Sequence, residues 1–200
     1  MMTTMTSCSV AQEAVKLPAP DLKLKMTLME SLQQRHSTWK HTDKAVSDAE
    51  LATVLWAATG INRPDDQRIT APSAVNAQDI QVYVMRVDGT FLYNVAEHRL
   101  DRVSDKDLRE AICGRDPQPK QAPIMLLLVS DLNKFGGDSE FARAMAPLDA
   151  GYVSENICLS CTALGLCTVP RMTMDYDTLK RELGLSDIQL PLLNHPVSKP

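Results

Sequence analysis

Apolar residues recur along this chain with two different periods, and the places where one period gives way to the other mark its elements. The stretch Pro123–Val129 (PIMLLLV) is apolar at every position, which predicts a strand covered on both faces and central in its sheet. Over Ile80–Val87 the side chains alternate, with Ile80, Val82 and Val84 set against Gln81, Tyr83 and Met85, the period of a strand. Asp88-Gly89 is a hairpin signal, and Thr90–Val95 is the returning strand.

Helical spacing appears elsewhere. Met26–Arg35 sets Leu28, Met29 and Leu32 on one side. Ser47-Asp48-Ala49-Glu50 is a capping box, since Ser47 can accept from the Glu50 amide while Glu50 reaches back to the Ser47 amide. The helix it opens carries Leu51, Val54, Leu55 and Ala58 on one face, with Gly60 placed to end it at positive φ. Ser104 caps a helix to Cys113 that Gly114 closes, and Asp138 opens a short helix that stops near Pro147. Tyr152–Leu164 is a longer helix rich in small residues that ends at Gly165. Thr168–Pro170 is a short strand, Asp175 caps a last helix to Leu183 before Gly184, and Ile188–Leu193 is a final strand before the tail HPVSKP. Residues 1–25 read as an arm and 61–79, with Pro64 and Pro72, as a loop. The fold class is α+β, with helices flanking a central, mainly antiparallel sheet in one domain over residues 26–200.

Composition sharpens this picture in three ways. Aromatic residues are only 4% of the 200, so the core rests on aliphatic side chains. The net charge of −4, with no basic block, excludes nucleic acid as a partner and leaves only a local anion site built from a few arginines. No run is long enough to span a bilayer. Cys158 and Cys161 form a CxxC in a helix-like stretch and read as two small buried residues on neighbouring turns. Residues 1–10 lack the apolar core of an export signal, which favours the cytoplasm; Ser9-Val10-Ala11 matches the small-x-small end of one and keeps a periplasmic protein as the alternative.

No GxGxxG follows a strand, and P-loop, HExxH and GxSxG patterns are missing. Four short segments remain. In Arg35-His36-Ser37-Thr38-Trp39 an extended backbone would turn Arg35 and Ser37 the same way, a forked guanidinium beside a hydroxyl that suits a phosphate monoester. In Ala71-Pro72-Ser73-Ala74-Val75-Asn76-Ala77-Gln78 small residues allow a flat ligand to approach the backbone, and Asn76 and Gln78 offer amides to a polar ring edge. The third runs from Asp149-Ala150-Gly151 to Ala163-Leu164-Gly165-Leu166, and the fourth is the tail from His195 to Pro200. Each alone is also compatible with an ordinary loop or helix end.

In this order the four resemble the nitroreductase family. RHSTW at 35–39 is similar to its Arg-(Arg/Lys)-Ser-x-Arg opening, and APSAVNAQ at 71–78 to its Ala-Pro-Ser-Ala-x-Asn-x-Gln motif. Residues 150–166 match its long dimer helix, and PVSKP at 196–200 matches its Pro-Val-Gly-Tyr-Pro ending loosely. GINRP at 60–64 resembles small bacterial members related to SagB-type dehydrogenases. The resemblance implies a homodimer with two FMN molecules at the subunit interface. It implies ping-pong hydride transfer from NAD(P)H, through flavin N5, to nitroaromatic or quinone-like acceptors, with no catalytic side chain.

Carried over residue by residue, Arg35 and Ser37 would hold the FMN phosphate, with His36 and Trp39 in the same motif. Pro72 and Ser73 would line the isoalloxazine ring, and Asn76 and Gln78 would face its pyrimidine edge. A backbone amide near Arg171 and Met172 would meet N5, and Lys199 would close on the phosphate. The chain departs from the pattern at His36, at Trp39, which replaces the last basic residue, and at Ile69, where relatives often carry a basic residue. Two other readings stand beside this one: a SagB-like FMN dehydrogenase acting on a modified peptide, and a flavin-binding dimer without catalysis.

Overall fold

The computed structural model describes residues 14–200; the export-signal reading of the first residues lies outside them. The elements in chain order are β1 (Ala14–Lys16), α1 (Leu28–Gln34), α2 (Asp48–Thr59), β2 (Ile61–Arg63), β3 (Arg68–Ile69), β4 (Ile80–Arg86), β5 (Gly89–Asn94), β6 (Arg99–Ser104), α3 (Arg109–Cys113), β7 (Ile124–Asp131), α4 (Glu140–Ala163), β8 (Cys167–Thr168), α5 (Tyr176–Leu183) and β9 (Gln189–Ser198). Seven strands form one sheet in the order β1-β6-β5-β4-β7-β9-β8, with every neighbouring pair antiparallel.

The all-apolar run is β7, and both of its faces are covered. Ile124, Leu126 and Leu128 join Val82, Val84 and residues of α2 and α4 in one core. Met125, Leu127 and Val129 join Tyr83, Met85 and residues of α3 and α5 in the other. Alternation along a strand sends successive side chains to opposite layers, so the pattern read from the sequence divides between two helical covers.

Several elements differ from the sequence-based expectation, each for a physical reason. The expected arm includes β1, paired with β6, and Leu17 is buried in the core. His98 Nε2 lies 2.9 Å from the Pro18 carbonyl, which ties this segment to the β5–β6 hairpin. The expected loop at 61–79 contains the small β2–β3 ribbon. Ser104 ends β6 opposite Thr90 rather than opening a helix, and α3 starts only at Arg109. The expectation missed β6 because Leu100 alone of its six residues is buried. Gly60 ends α2 at φ −66° and not in the left-handed region. Its role is close approach, since a Cβ there would stand 2.3 Å from Trp56 Cδ1.

The two helices expected on either side of Pro147 are one helix, α4, of 24 residues. Proline deprives the carbonyl four residues earlier of its hydrogen bond. That carbonyl belongs to Arg143, and both residues are exposed, so the gap faces outward where water can fill it. The final strand also runs past Leu193, through the tail, to Ser198. Its Pro191 sits where the β7–β9 register shifts between Leu128 and Val129, a place where a strand tolerates proline.

A polar knot lies inside this arrangement. His195 on β9 is fully buried, with Nε2 2.9 Å from Ser154 Oγ on α4 and Nδ1 3.3 Å from Thr168 Oγ1 on β8. Burial drives its imidazole down to about 3. The folded protein therefore takes up this proton less readily than the unfolded chain, and the stability His195 allows at neutral pH is lost as pH falls from about 6.5 toward 3. We predict that the His195 contribution to this loss approaches about 1.4 kcal/mol per pH unit within that window. His195→Gln should remove that slope; an unchanged dependence of Tm on pH in the variant would refute the assignment.

Candidate functional site

Two groups of the expected site residues gather at different places along α4. The first lies where α1 ends. Arg35 is its C-cap, and the Arg35 Nε stands 3.9 Å from Glu155 Oε1 of α4, with both side chains partly exposed. The Thr38 amide donates to the Thr168 carbonyl at 3.0 Å, which pins the extended segment to the edge strand β8. Thr38 therefore faces the sheet while Ser37 and Trp39 face outward. His36 Nδ1 lies 2.9 Å from the Gln34 carbonyl.

The end of β9 is close to this segment. His41 Nδ1 lies 3.2 Å from Ser198 Oγ, and Thr42 Oγ1 donates to the Lys199 carbonyl at 2.8 Å. The Lys199 ammonium, however, sits 3.2 Å from Glu50 Oε1 on the first turn of α2. In this arrangement its charge is committed to Glu50 and not turned toward the segment of Arg35 and Ser37.

Arg171 bridges β9 through Asn194, and its guanidinium is buried. It donates to the Cys113 carbonyl at 3.2 Å and lies 3.5 Å from Asp116 Oδ2. The side chain is thus committed to the layer of α3, and the Arg171 N–H and carbonyl are both paired with Asn194, so of the two residues Met172 is the one whose amide could meet a ligand. Met172 beside it is exposed, and its carbonyl accepts from Tyr176 Oη at 2.8 Å.

The second group is the 71–78 loop. Val75, Asn76 and Gln78 all have positive φ, at 48°, 57° and 51°. For a β-branched valine this is an outlier, and such strain persists only where surrounding contacts impose it. Those contacts are visible. The Gln78 amide donates to Ser73 Oγ at 2.9 Å, and Gln78 Nε2 donates to the Gln67 carbonyl at 3.1 Å, joining the loop to the β2–β3 ribbon. The Ala74 amide donates to both carboxylate oxygens of Asp149, at 3.0 and 2.9 Å.

Asn76 and Gln78 open onto a cleft of about 370 Å³ that Thr59, Gln81 and Tyr93 also line, with Lys134 at its edge. Thr59 Oγ1 and Gln81 Oε1 are buried there without a hydrogen-bond partner. Such orphaned atoms are uncommon in a folded interior and are expected where a ligand or water completes the site.

Sequence reasoning missed the acids behind this loop. Asp149 and Asp79 are both buried. Asp79 Oδ2 accepts a short hydrogen bond from Ser130 Oγ. Burial, with Asp149 alongside, pushes the Asp79 carboxyl up to about 6, against the opposing pull of the Ser130 hydrogen bond. The available signal was an acid placed directly before the apolar strand Ile80–Arg86, within reach of a core position.

Asp149 and Glu155 are six positions apart on α4, about 9 Å along its axis and on different faces. One protomer therefore holds the Arg35 corner and the 71–78 loop on different sides of the same helix. Among the described residues, no three metal-ligating side chains converge, and no helix is long and apolar enough to cross a membrane.

Comparison with known proteins fixes the lineage. The sequence matches the Nitroreductase family over residues 32–197. The chain belongs to this family. It is 26% identical over 201 residues to MJ1384 of Methanocaldococcus jannaschii, a protein named as a nitroreductase, covering 94% of this chain and 98% of that protein. A crystal structure from Ralstonia eutropha, also described as a nitroreductase, superposes with a TM-score of 0.87 at 26% identity, over 100% of this chain and 95% of the other. A protein from Parabacteroides distasonis titled as an NADH dehydrogenase/NAD(P)H nitroreductase shares the fold, with a TM-score of 0.61 at 18% identity over 86% of each chain. The α+β expectation and the family resemblance both hold.

The CxxC pair also takes its expected place, with Cys158 and Cys161 free and buried in α4. Burial pushes the Cys158 thiol up to about 11 and Cys161 higher still. Reactivity requires the thiolate. Both thiols should therefore resist iodoacetamide at pH 8 in the folded protein and react promptly in denaturant; fast labelling of either in the native state would contradict this placement.

Proposed function

We propose that this nitroreductase-family protein is an FMN-dependent oxidoreductase that works as a homodimer, taking hydride from NAD(P)H and passing it to a nitroaromatic or quinone-like acceptor. The observation that carries the reading is the 73–78 loop: three strained, non-glycine residues presenting Asn76 and Gln78 to a cleft with two orphaned buried oxygens. A flavin's pyrimidine edge carries both donors and acceptors and suits that lining. The Ser37 hydroxyl, which makes no hydrogen bond among the described residues, and the partly exposed Arg35 guanidinium suit a phosphate.

In this reading Arg35 and Ser37 hold the phosphate, with His36 and Trp39 beside them. Pro72 and Ser73 set the loop that lines the ring. Asn76 and Gln78 orient its polar edge, and the Met172 backbone faces its centre. Lys199 joins the phosphate only if it leaves Glu50. When bound, the flavin supplies the hydride chemistry, and the chain supplies position, exclusion of water and electrostatic support.

Dimerisation fits the exposed apolar side chains. Leu28, Met29 and Leu32, which share one side of α1, are exposed. Phe141, Leu148 and Tyr152 of α4, a helix against which α1 packs, are exposed as well. Grouped exposed apolar side chains of this kind mark an interface. A second copy would also bring a ring loop to the phosphate corner that one protomer keeps on another side of α4. Light scattering should report a dimer, and Leu148→Glu should shift it toward monomer; a monomeric wild type would reject the assembly.

The cofactor assignment has its own test. Acid release from protein expressed with ample riboflavin should yield FMN; FAD, or no flavin after reconstitution, would sink it. A charge-assisted hydrogen bond is worth roughly 1.5–3 kcal/mol, so Arg35→Ala should weaken FMN binding by about ten- to a hundredfold. Riboflavin, which lacks the phosphate, should be nearly unaffected, and Trp39→Arg should tighten FMN. Equal weakening of both ligands by Arg35→Ala would mean that Arg35 supports structure and not the phosphate.

A further inference from the structure

Directly behind the 73–78 loop stand two carboxyl groups with almost no access to water. Asp149 of α4 is 1% exposed and gives both of its oxygens to one loop amide, that of Ala74. Asp79, the residue before β4, is 0% exposed; Ser130 Oγ of β7 donates to its Oδ2, and its Oδ1 has no partner. Both acids line the same small void beneath Pro72 and Ser73.

Two ionised carboxylates side by side in such a place are strongly disfavoured, because burial penalises each charge and the charges repel. No cation relieves them: the influences on Asp79 are burial, the Ser130 hydroxyl, Asp149 and the local backbone. The Ala74 amide and the Ser130 hydroxyl are donors already used. One proton placed on Asp79 Oδ1 removes one charge, gives the orphaned oxygen a partner and supplies a hydrogen bond to Asp149. A neutral carboxyl is a donor, which an ionised one is not.

We propose that Asp79 and Asp149 share one proton, and that this proton locks the 73–78 loop in its strained, ligand-facing conformation. Asp79 and Asp149 are positioning residues here; neither touches the ligand. The loop's strain has to be offset by contacts that hold it, and the bond from the Ala74 amide to Asp149 is the one that ties the loop to the long helix. When the shared proton leaves to solvent, Asp149 is left beside a second buried anion, and the relief is to move outward and release the loop. Ligand affinity at the loop then falls as pH rises through the upper titration of the pair. The consequence for flavin rests on the reading above, whereas the shared proton does not.

The test uses riboflavin, whose lack of a phosphate keeps phosphate ionisation and the Arg35 corner out of the measurement. Riboflavin binding to the full-length protein should weaken several-fold between pH 5 and 8. Asp79→Asn, whose amide donates to Asp149 without titrating, should bind with nearly constant affinity over that range. Ser130→Ala removes the hydrogen bond that favours ionised Asp79, and should move the wild-type midpoint to higher pH. Carbon-13 NMR of labelled aspartate carboxyls in the flavin-free protein should show one buried carboxyl titrating near pH 6. The protection of the Ala74 amide against hydrogen exchange should fall through the same midpoint.

Both buried carboxyls titrating near 4, or Ala74 protection that ignores this titration, would overturn the proposal. A riboflavin pH slope retained in Asp79→Asn would overturn it too. If riboflavin fails to bind at any pH while the two NMR measurements give the expected titration, the flavin reading fails and the proton-sharing pair stands.

Discussion

Burying both faces of β7 governs everything around it. A strand whose first six residues, 124–129, are all apolar cannot lie on a surface, so the chain must supply a helical layer on each side. The layer of α2 and α4 covers Ile124, Leu126 and Leu128, and the layer of α3 and α5 covers Met125, Leu127 and Val129. Once α4 lies across the sheet, the places for chemistry are limited to its flanks. Arg35 meets it at Glu155, and the 71–78 loop meets it at Asp149.

The sheet also explains why the ends of the chain matter. β9 runs between β7 and β8, so the tail through Ser198 is structural and carries buried His195 and Asn194. The Arg35 corner is anchored to the edge strand β8 by a single backbone hydrogen bond from Thr38. The loop is held by Asp149, Ser73 and the β2–β3 ribbon. A rigid platform with two differently tethered corners is an arrangement that can be completed by a second copy without rebuilding either corner.

Much of this was legible in the sequence, and the reason is local. Period-two alternation with the Asp88-Gly89 turn after it gave β4 and its return strand β5, the capping box at Ser47 gave α2, and the apolar run gave the central strand. All three depend on neighbours in the chain. Long-range effects were not legible. Leu17 looks like part of a polar arm until β6 is there to receive β1. Pro147 reads as a helix stop until it and Arg143, whose carbonyl it leaves unpaired, are found on the exposed face of α4. Among the candidate site residues, the motifs pointed to the 71–78 loop and the Arg35 segment, but the pairing of Lys199 with Glu50 and the burial of the Arg171 guanidinium depend on contacts distant in sequence. The same is true of Asp79, which borders the candidate motif and acquires its character from burial, with Asp149 across the void adding to it.

His195 and Asp79 also act on the fold in opposite directions. Between about pH 4 and 6 the unfolded chain protonates its histidine while the folded chain keeps His195 neutral, and the folded chain retains a proton on Asp79 that the unfolded chain has given up. The first makes acid destabilising and the second makes it stabilising. Proton uptake at His195 thus masks proton release at Asp79, two groups that both lie against α4. These two contributions to stability offset one another in this range, while the hold of Asp149 on the loop that faces the candidate ligand site has no such offset.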